Sequence, residues 1–178
     1  MAEHDEILDE EMQHMFLQTE GTKILNADVF MKPVHILQRI APITVIEGES
    51  VEHTLKIMLE KKIGCMLVTK NGKLSGIVTE GDFTRRFLSM KRDAAAVKVE
   101  EIMSKKLTTL DENDSIAFCL NAMVIGGFRH IPLTNSENVP VAVISVKDIM
   151  NYIVDFFPEE ILNLPPTPMH TTFEREGA

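Results

Sequence analysis

The chain has 178 residues, 44% of them hydrophobic, with 18 basic against 27 acidic side chains and a formal net charge of −9. That length carries one large domain or two small ones around a shared core. No apolar run approaches the roughly 18 residues that cross a bilayer, and no basic face suits a nucleic acid, which argues against both classes.

Seven of the acids fall within the first twenty residues, where there is no Lys or Arg. Ile7, Leu8, Met12, Met15 and Phe16 approximate an apolar stripe, so residues 3–19 read as a helix that docks, or else as a mobile acidic leader. The segment has no basic-then-apolar signal region, and a cytoplasmic location is the expectation. Ile24 to Met31, closed by Pro33, is expected to make one or two helical turns.

A regular order begins near Pro42. Ile43 to Ile46 is a predicted strand, Ser50 a helix N-cap, and Val51 to Lys62 a helix with Gly64 as its C-terminal break. Cys65 to Val68 is a buried strand. Asn71-Gly72 signals a tight hairpin, Lys73 to Thr79 returns as a third strand, and Asp82 to Met90 is a helix. The unit is β-α-β-β-α.

After a connector over residues 91–98 the order repeats. Val99 to Met103 is a short amphipathic turn, Leu107 to Leu110 a strand, Ser115 an N-cap, and Ile116 to Val124 a helix ended by Gly126-Gly127. Arg129 to Thr134 and Val139 to Ser145 are strands, and Val146 to Phe157 is the last helix. Ser50 matches Ser115, Leu55 matches Leu120 and Met58 matches Met123 at an offset of 65. The offset becomes 66 after the hairpin, aligning Thr79 with Ser145 and Asp82 with Asp148. An internal duplication follows, and neither copy is expected to bury its sheet face alone. The expected boundaries are 1–32 for an acidic helical extension, 33–92 and 99–157 for the two units, and 158–178 for a Pro-rich tail.

Each copy ends a buried run at a hydroxyl with a carboxylate three positions on. The first reads Gly76-Ile77-Val78-Thr79-Glu80-Gly81-Asp82 and the second Ala142-Val143-Ile144-Ser145-Val146-Lys147-Asp148. A hydroxyl at the N-cap and a carboxylate on the first turn converge with free N–H groups, an arrangement suited to a ribose diol beside a phosphate. The plainer alternative is that Asp82 and Asp148 stabilise helix N-termini. Cys65 and Cys119 lie in apolar segments without CxxC spacing, and the histidines have no metal-ligand spacing, so free core thiols and no metal site are expected.

The paired units and their twin motifs resemble a tandem pair of cystathionine β-synthase (CBS) domains, the Bateman module, over about residues 33–157. The resemblance implies an α/β (α+β) fold of two pseudo-symmetric halves packed sheet to sheet. It implies an adenosine-ligand sensor that takes AMP, ADP, ATP or S-adenosylmethionine in two clefts, pairs into a homodimer and regulates a separate, unidentified effector protein. By the same resemblance Asp82 and Asp148 would each accept from ribose hydroxyls. Thr79 and Ser145 would lie at the ribose or phosphate edge, with Val78 and Ile144 beside them. The Asp82 cleft would take Thr108, Phe128, Arg129 and His130 from the opposite half. The Asp148 cleft would take Ile43, Ile63, Gly64 and Cys65.

The clefts are therefore expected to differ. Arg129 and His130 suit phosphate, whereas Gly64 and Cys65 at the matching positions carry no charge. Ala142 replaces the motif's Gly, placing a methyl where a ligand would approach the backbone. Phosphorylated adenosine is expected at Asp82 first. The plainer alternatives make His130 a satisfied core histidine, Arg129 a partner for Glu80 or Glu101, and Arg85 and Arg86, one turn beyond Asp82, a solvated helix face rather than a reach to phosphate. No nucleophile–base pair, P-loop or metal-ligand set points to catalysis or a resident cofactor. A dimerisation module without ligand is the alternative function.

Overall fold

The computed structural model describes residues 25–37 and 41–157. The chain divides into two compact units, residues 26–150 and residues 1–25 with 151–178. Of the latter, the described part includes Tyr152 and Phe156, whose rings meet edge to face at 5.3 Å. The expected acidic helix and Pro-rich tail lie outside the described residues.

Residues 26–150 begin with α1 (Ala27–Met31), capped by the Asn26 side chain, which accepts from the amides of Asp28 and Val29. The first repeat follows its expected order. Strand β1 (Thr44–Ile46) leads through helix α2 (Val51–Lys61) to β2 (Cys65–Lys70), with which β1 pairs in parallel. Ser50 caps α2 by accepting from His53 N–H at 3.1 Å. The left-handed residue that stops α2 is Lys62, with φ 53°, and not Gly64. Antiparallel β3 (Lys73–Thr79) closes the sheet through a two-residue turn in which Asn71 and Gly72 both have positive φ, 51° and 76°. Those paired angles match the right-handed twist of the strands.

The helix after β3 is not uniform. Helical turns at Glu80–Asp82 and Leu88–Met90 flank a π-helical turn over Phe83–Phe87, in which the Leu88 amide reaches back to the Phe83 carbonyl. We call the whole run α3. Such wide turns collect at functional sites, and this one carries Arg85 and Arg86.

The second repeat has α4 (Val99–Ile102), α5 (Ile116–Gly126), β4 (His130–Thr134), β5 (Pro140–Ser145) and α6 (Val146–Val154). Ser115 caps α5 as Ser50 caps α2, accepting from Phe118 N–H at 3.2 Å. The strand expected at Leu107–Leu110 is reduced to a single bridge from Leu110 to Leu133. Only Leu110 of that run is buried; Thr108 and Thr109 stay exposed, which removes the apolar alternation that would hold a strand on the core.

The two sheets face each other across a small cluster. Leu67, Leu74 and Ile77 of the first pack with Leu107 and Val143 of the second repeat. Leu74 N–H donates to the Asn138 carbonyl, and the Asn138 side chain donates back to the Leu74 carbonyl at 3.0 Å.

The leading segment of each repeat is exchanged. Val34 and His35 N–H donate to the carbonyls of Asp114 and Glu112, and Ile116 N–H donates to Lys32, so the chain before β1 packs on the second repeat. Reciprocally, Val97 and Val99 bond with Val51 and Glu49, and Val97, Val99, Ile102 and Met103 complete the first repeat's core beside Val78, Met66 and Phe83. Residues 97–103, the end of the connector and the opening of the second copy, thus belong structurally to the first half.

Candidate functional site

Thr79 and Asp82 start α3, and their geometry is set locally. Asp82 Oδ2 accepts from the Thr79 amide at 2.9 Å and from the Thr79 hydroxyl at 2.8 Å. The duplicate is nearly superimposable in its bonding: Asp148 Oδ2 accepts from Ser145 N–H and Oγ–H, both at 2.7 Å. The helix-stabilising role is therefore real at both sites, and a cap of this kind contributes about 0.5–2 kcal/mol. It uses one carboxylate oxygen only. At Asp82 the other, Oδ1, lies 3.5 Å from Arg86 Nη1.

A cavity of about 390 Å³ opens beside Asp82. Thr79 and Asp82 form one lip; Thr108, Phe128, Arg129 and His130 approach from the second repeat, as expected. Ile77, Leu107 and Pro132 supply apolar surface. Gly64, expected at Asp148, lines this cavity as well. Arg85 and Arg86 also line it, and both remain exposed as a solvated helix face would. Lys106, which the sequence reading missed, lies two positions before Thr108, and that adjacency was the available signal.

Arg86 donates from Nη1 to the carbonyls of Ile102 and Met103 at 2.8 and 2.7 Å, which ties α3 to the exchanged segment. Arg85 makes one long bond, from Nε to Gly81 O at 3.4 Å. Among the described residues neither Arg129 nor Lys106 has an ion pair, and Glu101, expected as a partner of Arg129, pairs with Arg92. Burial and the adjacent Arg129 charge hold the His130 imidazole below its ordinary pKa, while Asp148 and Glu80 pull the other way. His130 is partly buried, not a sealed core residue.

The Asp148 side is different. Neither of the two cavities described is lined by Asp148 or Ser145. Ile63 lines a second one, with Leu59, Lys62 and Glu80. Ile43 packs on the first core, and Cys65 packs between the sheets. Burial, with Asp148 and Glu80 nearby, pushes the Cys65 thiol up to about 11. Cys119 is buried and likewise raised to about 11. Both thiols are free and stay protonated near neutral pH. Val78 and Ile144 are fully buried, so their side chains belong to the core and not to a cleft surface.

The twin capped motifs, the duplicated units and the paired sheets have a counterpart among known proteins. The CBS domain model matches twice, at residues 30–89 and 99–155. The chain belongs to the CBS domain family. Its fold is that of solved CBS pairs. The crystal structure of the CBS domain of NE2398 is 26% identical with a TM-score of 0.60, covering 64% of this chain and 88% of that one. The CBS pair of MJ0100, solved with 5'-methylthioadenosine and S-adenosyl-L-methionine, is 22% identical with a TM-score of 0.63, covering 69% and 96%. A CBS domain-containing protein of Arabidopsis thaliana, CBSX3, mitochondrial, is 27% identical over 121 residues, 65% of this chain. The chain spans about six-tenths of the length of this relative and of the two that follow it in similarity, at 58%, 63% and 63%.

Proposed function

We propose that this CBS pair is a regulatory module that binds an adenosine nucleotide beside Asp82 and signals to a separate protein partner. The observation that carries the reading is the cavity itself. It brings Asp82, an aromatic wall at Phe128 and the unpaired Arg129 into one volume, within the size range of small-molecule sites. Asp82 Oδ1 serves the ribose hydroxyls, Phe128 the adenine face and Arg129 the phosphate. The ligands bound by the MJ0100 pair, S-adenosyl-L-methionine and 5'-methylthioadenosine, are adenosine compounds and support this class. A homodimer in the cytoplasm, without catalysis or resident cofactor, completes the proposal.

Titration calorimetry with AMP, ATP and S-adenosylmethionine tests it. Asp82→Ala is expected to abolish binding and Asp148→Ala to leave it intact; the reverse pattern would sink the assignment. Asp82→Asn keeps an acceptor for the Thr79 amide and separates loss of the cap from loss of the ligand. One observation favours the ligand-free dimerisation reading: Oδ2 of both aspartates is already committed to a cap. A ligand at about 100-fold excess over its dissociation constant adds roughly 2.7 kcal/mol to stability, so an unmoved melting temperature with every adenosine ligand decides for that alternative.

A further inference from the structure

The cavity at Asp82 is cationic from three separate directions. Arg85 comes from the π-helical turn of α3, Lys106 from the chain leading into the second repeat, and Arg129 from the entry to β4. Among the described residues Asp82 is the one carboxylate that lines the cavity, and its Oδ1 already faces Arg86. Arg86 is itself fixed on the Ile102 and Met103 carbonyls. Glu80 approaches near Gly64 and His130 at the edge, but it is exposed and does not line the volume. Three cations without ion-pair partners thus converge on space that holds one carboxylate.

Arg85, Lys106 and Arg129 are all exposed, and like charges gathered around a concave volume raise its potential and attract a multivalent anion, more weakly as salt rises. A monophosphate is served by Arg129, next to the aromatic wall at Phe128. That leaves Arg85 and Lys106 without a counter-charge. We propose that Arg85 and Lys106 select nucleotides by phosphate number, so that the cleft prefers a nucleoside triphosphate to a monophosphate and rejects S-adenosylmethionine. S-adenosylmethionine places a sulfonium and an ammonium where these cations stand, and its single carboxylate does not offset them. The preference rests on the adenosine-nucleotide reading above and adds the ligand's charge to it.

The test is calorimetry on the full chain with ATP, ADP, AMP, S-adenosylmethionine and inorganic triphosphate, at low and high salt. ATP is expected to bind at least about tenfold more tightly than AMP, the worth of one charge-assisted hydrogen bond. Its affinity should also fall more steeply with salt. In Arg85→Gln, Lys106→Gln and the double variant, the ATP-to-AMP ratio should collapse toward one. Circular dichroism and melting curves check that each variant folds. S-adenosylmethionine binding as tightly as ATP, or an unchanged ratio in the double variant, overturns the proposal. Equal binding of AMP and ATP, both lost in Asp82→Ala, overturns it while leaving the adenosine reading intact. Inorganic triphosphate binding as tightly as ATP supports the charge preference and removes the adenosine reading. No binding by any of the five removes both.

Discussion

His130 stands where the two repeats meet, flanked by its neighbour Arg129 and reached by the charges of Glu80 and Asp148. Burial and Arg129 dominate, so the folded protein holds this imidazole below the ordinary value of 6.5. Below that value the unfolded chain binds a proton more readily than the folded one, and stability falls as pH drops through 6.5 toward the lowered folded pKa. Melting curves of the ligand-free protein between about pH 8 and about pH 5.5 should show this loss, with a shallower slope in His130→Gln. If the proposed nucleotide binds here, its phosphate adds to the charges of Asp148 and Glu80 and draws a proton onto His130. Calorimetry in buffers of different ionisation enthalpy should detect that uptake near neutrality. At this scale the sequence was informative about chemistry and less so about address. Asp82 stands out because duplication sets it in register with Asp148, whereas Arg129 and His130 follow only from the family resemblance. Gly64, expected at Asp148, also lines the cavity at Asp82, which the spacing alone does not announce.

Among the elements, Gly76 in β3 shows how packing and ligand arguments part. The motif glycine was read as room for a ligand, with Ala142 as the intruding equivalent. In the fold a Cβ at Gly76 would lie 2.3 Å from the Met103 sulfur, and Met103 is buried in the first core. The glycine is needed by the exchanged segment. Gly76→Ala should therefore cost about 1–3 kcal/mol through overpacking, read as a lower denaturant midpoint without a change in slope. Most elements were legible because their signals are local: hydroxyl caps at Ser50 and Ser115, positive-φ residues at Asn71 and Gly72, and apolar periodicity. The lost strand at Leu107–Leu110 had good β-propensity but lacked a burial partner, and burial decides.

On the scale of the whole molecule, the duplication could be seen from Ser50/Ser115 and Asp82/Asp148, but the exchange of leading segments could not. Nothing in residues 97–103 marks them as core of the preceding unit, because their apolar residues would suit either half. A chain cut at the expected boundary, residues 26–92, lacks Val97, Val99, Ile102 and Met103 from its core and exposes the face of Leu67, Leu74 and Ile77. It should give no cooperative thermal transition. A piece extended to residue 106 should recover more native-like circular dichroism. A sharp transition in the shorter piece would mean that the exchange contributes little.

The exchange also imposes a schedule on synthesis. The first half must wait for residues 97–103 before its core can close, a delay of roughly a second at ribosomal speeds of about 5–20 residues per second. The segment at Pro33 to Leu37 waits far longer, for some eighty further residues, until Asp114 and Ile116 emerge to receive it. Throughout that interval Val34, fully buried in the finished protein, has nowhere to go. The strip of chain ahead of β1 is the last part of the first copy to find its place, and it is held there by residues 112–116 of the second copy.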